Sequence, residues 1–445
     1  MAVTKLSSTI MVMVGITGDL SQRYLLPAIT HLAAAGELPD NFKLIGVSRR
    51  DVTAEDVLKE VKDPNFLRSH LEMRKMDLDS SDDFKALADY LQTLEAEMGE
   101  HTQRVFYLSV PPSVSSPIVT LLGEVGLAKT GTTKLMLEKP FGVDLASARE
   151  LVAHIGNHFD EDQVYRIDHY VAKEMAQSLV LMRQENAWLE RIWSSDCIER
   201  IEVVASESIG IEDRATFYEE TGALRDLVQS HLLQLMAIST MELPGTLSSD
   251  ELRASRFHAL KSLSLAEDDV MASARRGQYD GYLKEVENEA STTETFVELN
   301  LTSSSDLWGG VALRIITGKS LNAKETIIRL TLRGESAGKL IIRIQPDAGI
   351  ELGLKLKAPG YSDETIDRTL SYTYNDKSDG EQVEAYERVF LDAIRSDHHL
   401  FVSSEEVLTS WEILSPVQQA WNGNCDGMIS YEVGSCPEAV VPVGE

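Results

Sequence analysis

The chain has 445 residues, with 71 acidic side chains against 42 basic ones and a formal net charge of -29. That balance argues against nucleic acid and anionic membrane as partners, because both need a basic face. The length suggests two domains and the 43% hydrophobic content a sizeable core. Cys197, Cys425 and Cys436 show no CxxC spacing, which fits a reducing compartment and predicts no metal cluster. The early apolar run Ile10–Val14 is shorter than a signal-peptide core, and no stretch approaches the roughly 18 apolar residues of a membrane helix. A cytoplasmic protein is expected.

Taken in chain order, Ile10–Val14 reads as a strand buried on both faces. A glycine-bearing turn follows, then Leu25–Ala35 at helical spacing. The run Phe42–Val47 is the next strand, followed by a helical pattern over Ala54–Val61. Further strands are expected at Val105–Val110 and Lys134–Leu137. This alternation predicts a Rossmann-like, doubly wound parallel sheet, an α/β domain over 1–178. Beyond it the pattern changes. Ile198–Ala205, Thr295–Thr302, Val311–Thr317, Thr326–Leu332 and Lys339–Ile344 read as strands of a large, mostly antiparallel sheet. Helices at Leu224–Met241 and Ala385–Ile394 make 179–445 an α+β domain. Asn375–Gln382 reads as a surface loop.

Three places carry chemistry. The first strand runs into Gly15-Ile16-Thr17-Gly18-Asp19-Leu20 and then a helix, a turn that lets a pyrophosphate approach the helix N-terminus. The spacing is not GxGxxG and alone is weak. At the end of the second strand an acidic residue would read the ribose of NAD, whereas Arg accommodates the 2′-phosphate of NADP. Here Arg49 and Arg50 stand there, which favours NADP over a merely solvated basic pair.

Next comes Glu138-Lys139-Pro140-Phe141-Gly142, with a Lys at a strand's carboxyl end and a Pro that a cis bond would suit. In Arg166-Ile167-Asp168-His169-Tyr170-Val171-Ala172-Lys173, a helix starting after His169 would bring Lys173 one turn on, so that both face one anion. Finally, His231 lies four residues after Leu227 and four before Leu235, on an apolar helix face. A lone His in that setting is more often a hydrogen-bonded core residue than a catalyst.

These segments closely resemble the glucose-6-phosphate dehydrogenase family. The resemblance runs through Gly15–Leu20 with Pro27, Tyr107–Pro112, EKPFG, RIDHY and RDxxQxHLLQ. It continues through Thr317–Asn322, Ile344-Gln345-Pro346, Tyr386-Glu387 and Trp411, nearly the whole chain. It implies oxidation of glucose 6-phosphate to the 6-phospholactone with a nicotinamide cofactor, NADP with NAD also possible, without a metal. His231 would be the general base and Asp168 its orienting carboxylate. His169, Tyr170, Lys173 and Lys324 would take the 6-phosphate, and Glu207, Asp226, Lys319 and Lys139 the sugar hydroxyls. Gly15, Thr17, Gly18, Asp19, Leu20, Arg49 and Lys139 would hold the cofactor. A homodimer joined through the second sheet is also implied.

Three departures stand out. Val171-Ala172 replaces the family's Leu-Gly, Tyr24 replaces a Lys that reaches substrate and cofactor, and the chain is short for the family. A sister dehydrogenase of another sugar phosphate, or a catalytically silent sugar-phosphate binder, are the competing readings.

Overall fold

Six short runs form the parallel part of the first sheet, and their order follows from right-handed crossovers. The computed structural model describes residues 6–99, 101–129, 132–334, 338–374 and 382–441. Strands β1 (Thr9–Val14), β2 (Phe42–Ser48), β3 (Leu71–Lys75), β4 (Gln103–Leu108), β5 (Thr133–Leu137) and β6 (Val164–Ile167) are parallel, in the order β3-β2-β1-β4-β5-β6. This is the doubly wound arrangement, with its crevice where the order reverses between β1 and β4. Every residue of β1, β4, β5 and β6 is buried, as strands covered by helices on both faces must be. β3 and β6 were not expected. β3 is partly exposed at the sheet edge and β6 has four residues, too few for periodicity to show.

The second sheet contains β7 (Ile198–Ser206), β8 (Leu263–Leu265), β9 (Ala274–Tyr279), β10 (Phe296–Ser303), β11 (Ala312–Gly318), β12 (Glu325–Leu332), β13 (Lys339–Gln345), β14 (Gly349–Lys357) and β15 (Thr365–Thr373). Its path is β15-β14-β13-β12-β7-β11-β10-β9, closed by Met428–Tyr431, with β8 beside β10. Most pairs are antiparallel; β7 with β11 is parallel. That parallel pair ends side by side at Ser206 and Gly318, so the next residues, Glu207 and Lys319, emerge together. The expected α/β plus α+β architecture is what the structure has.

The expected division at residue 178 falls inside the helix Glu174–Glu185. Phe401–Val402 also returns to edge the first sheet, antiparallel to β6, and Val402, Val407 and Trp411 join its core. The helix Ser404–Trp421 begins with a capping box between Ser403 and Glu406. From it the buried Trp411 indole donates to the Phe141 carbonyl at 3.0 Å, pinning the turn after β5. The loop expected over 375–382 lies, but for its last residue, outside the described residues.

Candidate active site

β6 carries Asp168 to the crevice and the helix beginning at Leu224 carries His231. Asp168 Oδ1 accepts the Tyr170 N–H at 2.9 Å and faces His231 Nδ1 at 2.7 Å; both side chains are 1% exposed. An ionised carboxylate only accepts, so Nδ1 carries the imidazole proton and Nε2 keeps a lone pair. Burial holds His231 below the ordinary histidine value, although Asp168 pulls the other way. The ring is therefore neutral at pH 7 and able to take a proton. Burial likewise opposes charge on Asp168, but His231, His169 and the Tyr170 N–H outweigh it and hold the carboxyl down to about 2. Tyr170 stacks on the His231 ring at 4.3 Å and 20°, and His169 meets it edge-on at 4.5 Å. Two rings and a carboxylate fix the imidazole.

The helix expected after His169 does not start there. Residues 169–173 form turns, closed by the Tyr170 N–H on Asp168 and the Lys173 N–H on the Tyr170 carbonyl, and the helix begins at Glu174 with Lys173 as its N-cap. The aspartate side chain competes for the backbone and delays the helix. His169 and Lys173 are still close enough to feel one another. Burial drives His169 well below its ordinary value, and His231, Lys139 and Lys173 push the same way. Lys173 is lowered by burial; Glu384 opposes this, and Lys324, in the loop between β11 and β12, adds to it. Within a chain of net charge -29, the crevice gathers Lys139, Lys173 and Lys324.

The helix bearing His231 is not a plain α-helix either. Leu224–Leu232 is a π-helix that continues as α over Leu233–Thr240. In a π-helix residues five apart share a face, and such turns concentrate at functional sites. Asp226 thus lies on the His231 side, where its charge acts on the imidazole. Lys139 donates to the Asp226 carbonyl at 2.6 Å and to its Oδ1 at 3.0 Å. Burial opposes charge on Asp226, and Lys139 overrides it. Lys319 pairs with Glu207 at 2.5 Å. Two ion pairs therefore offer donors and acceptors beside the base, as a hydroxyl-rich ligand requires.

Several neighbours had no assigned role. Tyr107 donates to Glu138, whose carboxyl burial raises to about 7. Tyr386 lies near-parallel to His169 at 6.3 Å, and Tyr24, 46% exposed, stands 6.0 Å from Tyr386. Gln345 donates to the Tyr170 hydroxyl at 3.3 Å. A carboxylate directly before a strand-end lysine was a readable signal for Glu138; no local pattern pointed to Tyr386 or Gln345.

At the other end of the crevice, Gly15 has φ +86, and a Cβ there would collide with the Ser109 carbonyl. A Cβ on Gly18 would lie 3.1 Å from the Gly15 carbonyl, which accepts the Gly18 N–H at 2.9 Å. Gly15 must be glycine for this turn, Gly18 leaves little room for a side chain, and a helix starts directly at Asp19. Its first N–H groups lack partners within the helix and face where an anion would sit. Arg49 and Arg50 are both exposed at the end of β2; Arg50, not Arg49, donates to Thr17 in the loop, at 3.2 Å. Arg23 turns back to Asp19 at 3.5 Å, with its guanidinium 5.5 Å from the centre of the Tyr24 ring. The Lys139–Pro140 bond is cis.

Family models for glucose-6-phosphate dehydrogenase match residues 12–178, as the NAD binding domain, and 180–441, as the C-terminal domain. The chain belongs to the glucose-6-phosphate dehydrogenase family. It is 35% identical to the glucose-6-phosphate 1-dehydrogenases of Chlamydia muridarum (93% of this chain, 90% of the relative) and Bacillus subtilis (96% and 94%). It superposes with a TM-score of 0.90 and 31% identity on a glucose-6-phosphate dehydrogenase solved with glucose 6-phosphate, covering 98% of this chain and 96% of that one. A levoglucosan dehydrogenase, at 10% identity and TM-score 0.55, shares the fold alone. The glucose-6-phosphate dehydrogenase NAD binding domain implies a nicotinamide cofactor. Among the described residues no helix is long and apolar enough to cross a membrane, and no group of three His, Cys, Asp or Glu could hold a metal ion.

Proposed function

We propose that this chain is a cytoplasmic NADP-dependent dehydrogenase that oxidises glucose 6-phosphate at C1 to 6-phosphogluconolactone. The observation that carries this is the His231–Asp168 contact of 2.7 Å between buried groups from segments 63 residues apart, beside a cluster of lysines. When bound, the cofactor supplies a hydride acceptor for the C1 hydrogen. His231 Nε2 takes the proton from the C1 hydroxyl as the hydride leaves, so the C–O bond becomes a carbonyl. Asp168 keeps Nδ1–H pointed away from the sugar and stabilises the imidazolium that results. Lys173, Lys324, His169 and Tyr170 bind the 6-phosphate; neutral His169 and Tyr170 act as hydrogen-bond donors, the lysines as charges.

Glu207, Asp226, Lys319 and Lys139 hold the ring hydroxyls. Gly15, Thr17, Gly18, Asp19 and Leu20 cradle the pyrophosphate, and Arg49 meets the 2′-phosphate that distinguishes NADP from NAD. The exposed Leu356, Leu370 and Tyr372 on the two outer strands β14 and β15 support a homodimer through the second sheet. The test is NADP reduction with glucose 6-phosphate, free glucose and other hexose phosphates. Turnover confined to glucose 6-phosphate supports the reading. Binding without reduction of either NADP or NAD would make the chain a silent binder.

A further inference from the structure

A second cleft, of about 530 Å³, lies outside the catalytic crevice, within the size range of small-molecule sites. Its walls are the first turn of the helix Leu145–Gly156, the start of the His231 helix, β9, the segment before β10 and the end of the helix Ser404–Trp421. Two of its arginines are unusual for this protein. The buried Arg104, Arg166, Arg183, Arg256 and Arg314 each have a glutamate within 4.0 Å. Arg276 is 1% exposed, yet among the described residues its guanidinium donates only to the carbonyls of Trp421, Asn424 and Asp426 and to Asn424 Oδ1, at 2.8–3.2 Å. Its Nε and the Trp421 indole N–H beneath it are buried without a partner among the described residues.

Arg225, half-buried, donates among the described residues to carbonyls, those of Val143 at 2.9 Å and Thr221 at 3.4 Å. For Arg276, burial without a carboxylate in ion-pair contact is costly; Glu294 and Asp426 act on it only from a distance, and carbonyl dipoles replace a full negative charge only in part. The acids that line the cleft are already committed. Asp144 caps its own helix through Ser147, and Glu294 Oε1 accepts the Leu224 N–H at 2.9 Å. Burial also pushes the Glu294 carboxyl up, against charge.

We propose that this cleft binds a small organic oxyanion, a phosphate ester or polycarboxylate, between Arg225 and Arg276, and that its binding is felt at the catalytic helix. The connection is short. Arg225 adjoins Asp226, which holds Lys139, and it also grips Val143 just after the Lys139–Gly142 turn. Glu294 holds the first N–H of the same helix. An anion that draws Arg225 towards Arg276 therefore pulls on two walls of the catalytic site at once.

The test uses the full chain saturated with glucose 6-phosphate, so that its phosphate pocket is filled, at matched ionic strength. Pyrophosphate and citrate, as separate probes for the two ligand types, are titrated while Tm is followed. A saturable rise in Tm with either is expected. Arg225→Gln and Ala146→Glu, which adds a charge on the exposed first turn without disturbing the core, should each weaken the apparent affinity tenfold or more. The anion should also change kcat at saturating glucose 6-phosphate. No saturable shift with either probe, an undiminished shift in both variants, or a shift seen only without glucose 6-phosphate would each overturn the site. An unchanged kcat at full occupancy would overturn the coupling.

Discussion

Replacing Asp168 by Asn isolates the charge beneath the base, because the structure fixes which way the amide must sit. Asp168 Oδ1 receives both the Tyr170 N–H and His231 Nδ1–H, at 2.9 and 2.7 Å. An asparagine keeps both bonds only with its carbonyl oxygen there, so the histidine tautomer is preserved. Its NH2 then takes the place of Oδ2, a buried atom with no partner among the described residues. A hydrogen bond to a charged group contributes about 1.5–3 kcal/mol against about 0.5–1.5 for a neutral one. The buried imidazolium formed in the reaction also loses its counter-ion, and breaking such a pair costs about 3–5 kcal/mol.

The transition state carries part of that charge, so a loss of about 3–4 kcal/mol is expected, or roughly 10²–10³ in kcat. The acid limb of kcat/KM tells the same story. Burial already lowers His231 and Asp168 raises it, so removing the carboxylate moves the limb to lower pH. Steady-state rates from pH 5 to 9 with glucose 6-phosphate read both effects. A kcat within threefold of the parent, or an acid limb that stays put, would refute the role given to Asp168.

His231→Asn should remove nearly all turnover, on the order of 10³-fold or more, while the Kd for glucose 6-phosphate by calorimetry changes little. Lys173→Ala should raise KM for glucose 6-phosphate at least tenfold with a smaller effect on KM for the cofactor, as loss of a phosphate contact requires. Arg49→Ala should raise KM for NADP far more than for NAD; equal changes would undo the 2′-phosphate assignment. Glu138→Gln should remove an ionisation near pH 7 from the pH profile, since burial lifts that carboxyl to about 7; an unchanged profile would show that Glu138 does not titrate in the working range. Gly222→Ala should lower Tm, because φ +67 with ψ 171 is tolerated essentially by glycine alone and a Cβ would strike the Glu294 carboxylate. About 1–3 kcal/mol is expected from the backbone alone.

The first sheet was legible where strands were long and wholly apolar, as in β1 and β2, because burial on both faces leaves that mark in the residues themselves. β3 and the Phe401–Val402 strand were not: one is a half-exposed edge, the other two residues long and paired with Ile167 and Arg166, far back in the chain. The meeting of Asp168 with His231 was expected only through the resemblance, since nothing in local spacing says that residues 63 apart will meet.

The helix carrying the base shows why. Read at 3.6 residues per turn, His231 aligns with Leu227 and Leu235 as one more core position, and Asp226 turns away from it. The π-turn rotates that register, and what accompanies it is tertiary. The left-handed Gly222 breaks the chain, and the Glu294 carboxylate, from 70 residues downstream, takes the Leu224 N–H at the helix start. Lys139, from the other sheet, then holds Asp226 by both its carbonyl and its carboxylate. The acidic residue and the base come to share a face because two distant side chains hold the start of that helix, and a window of residues 220–240 contains neither of them.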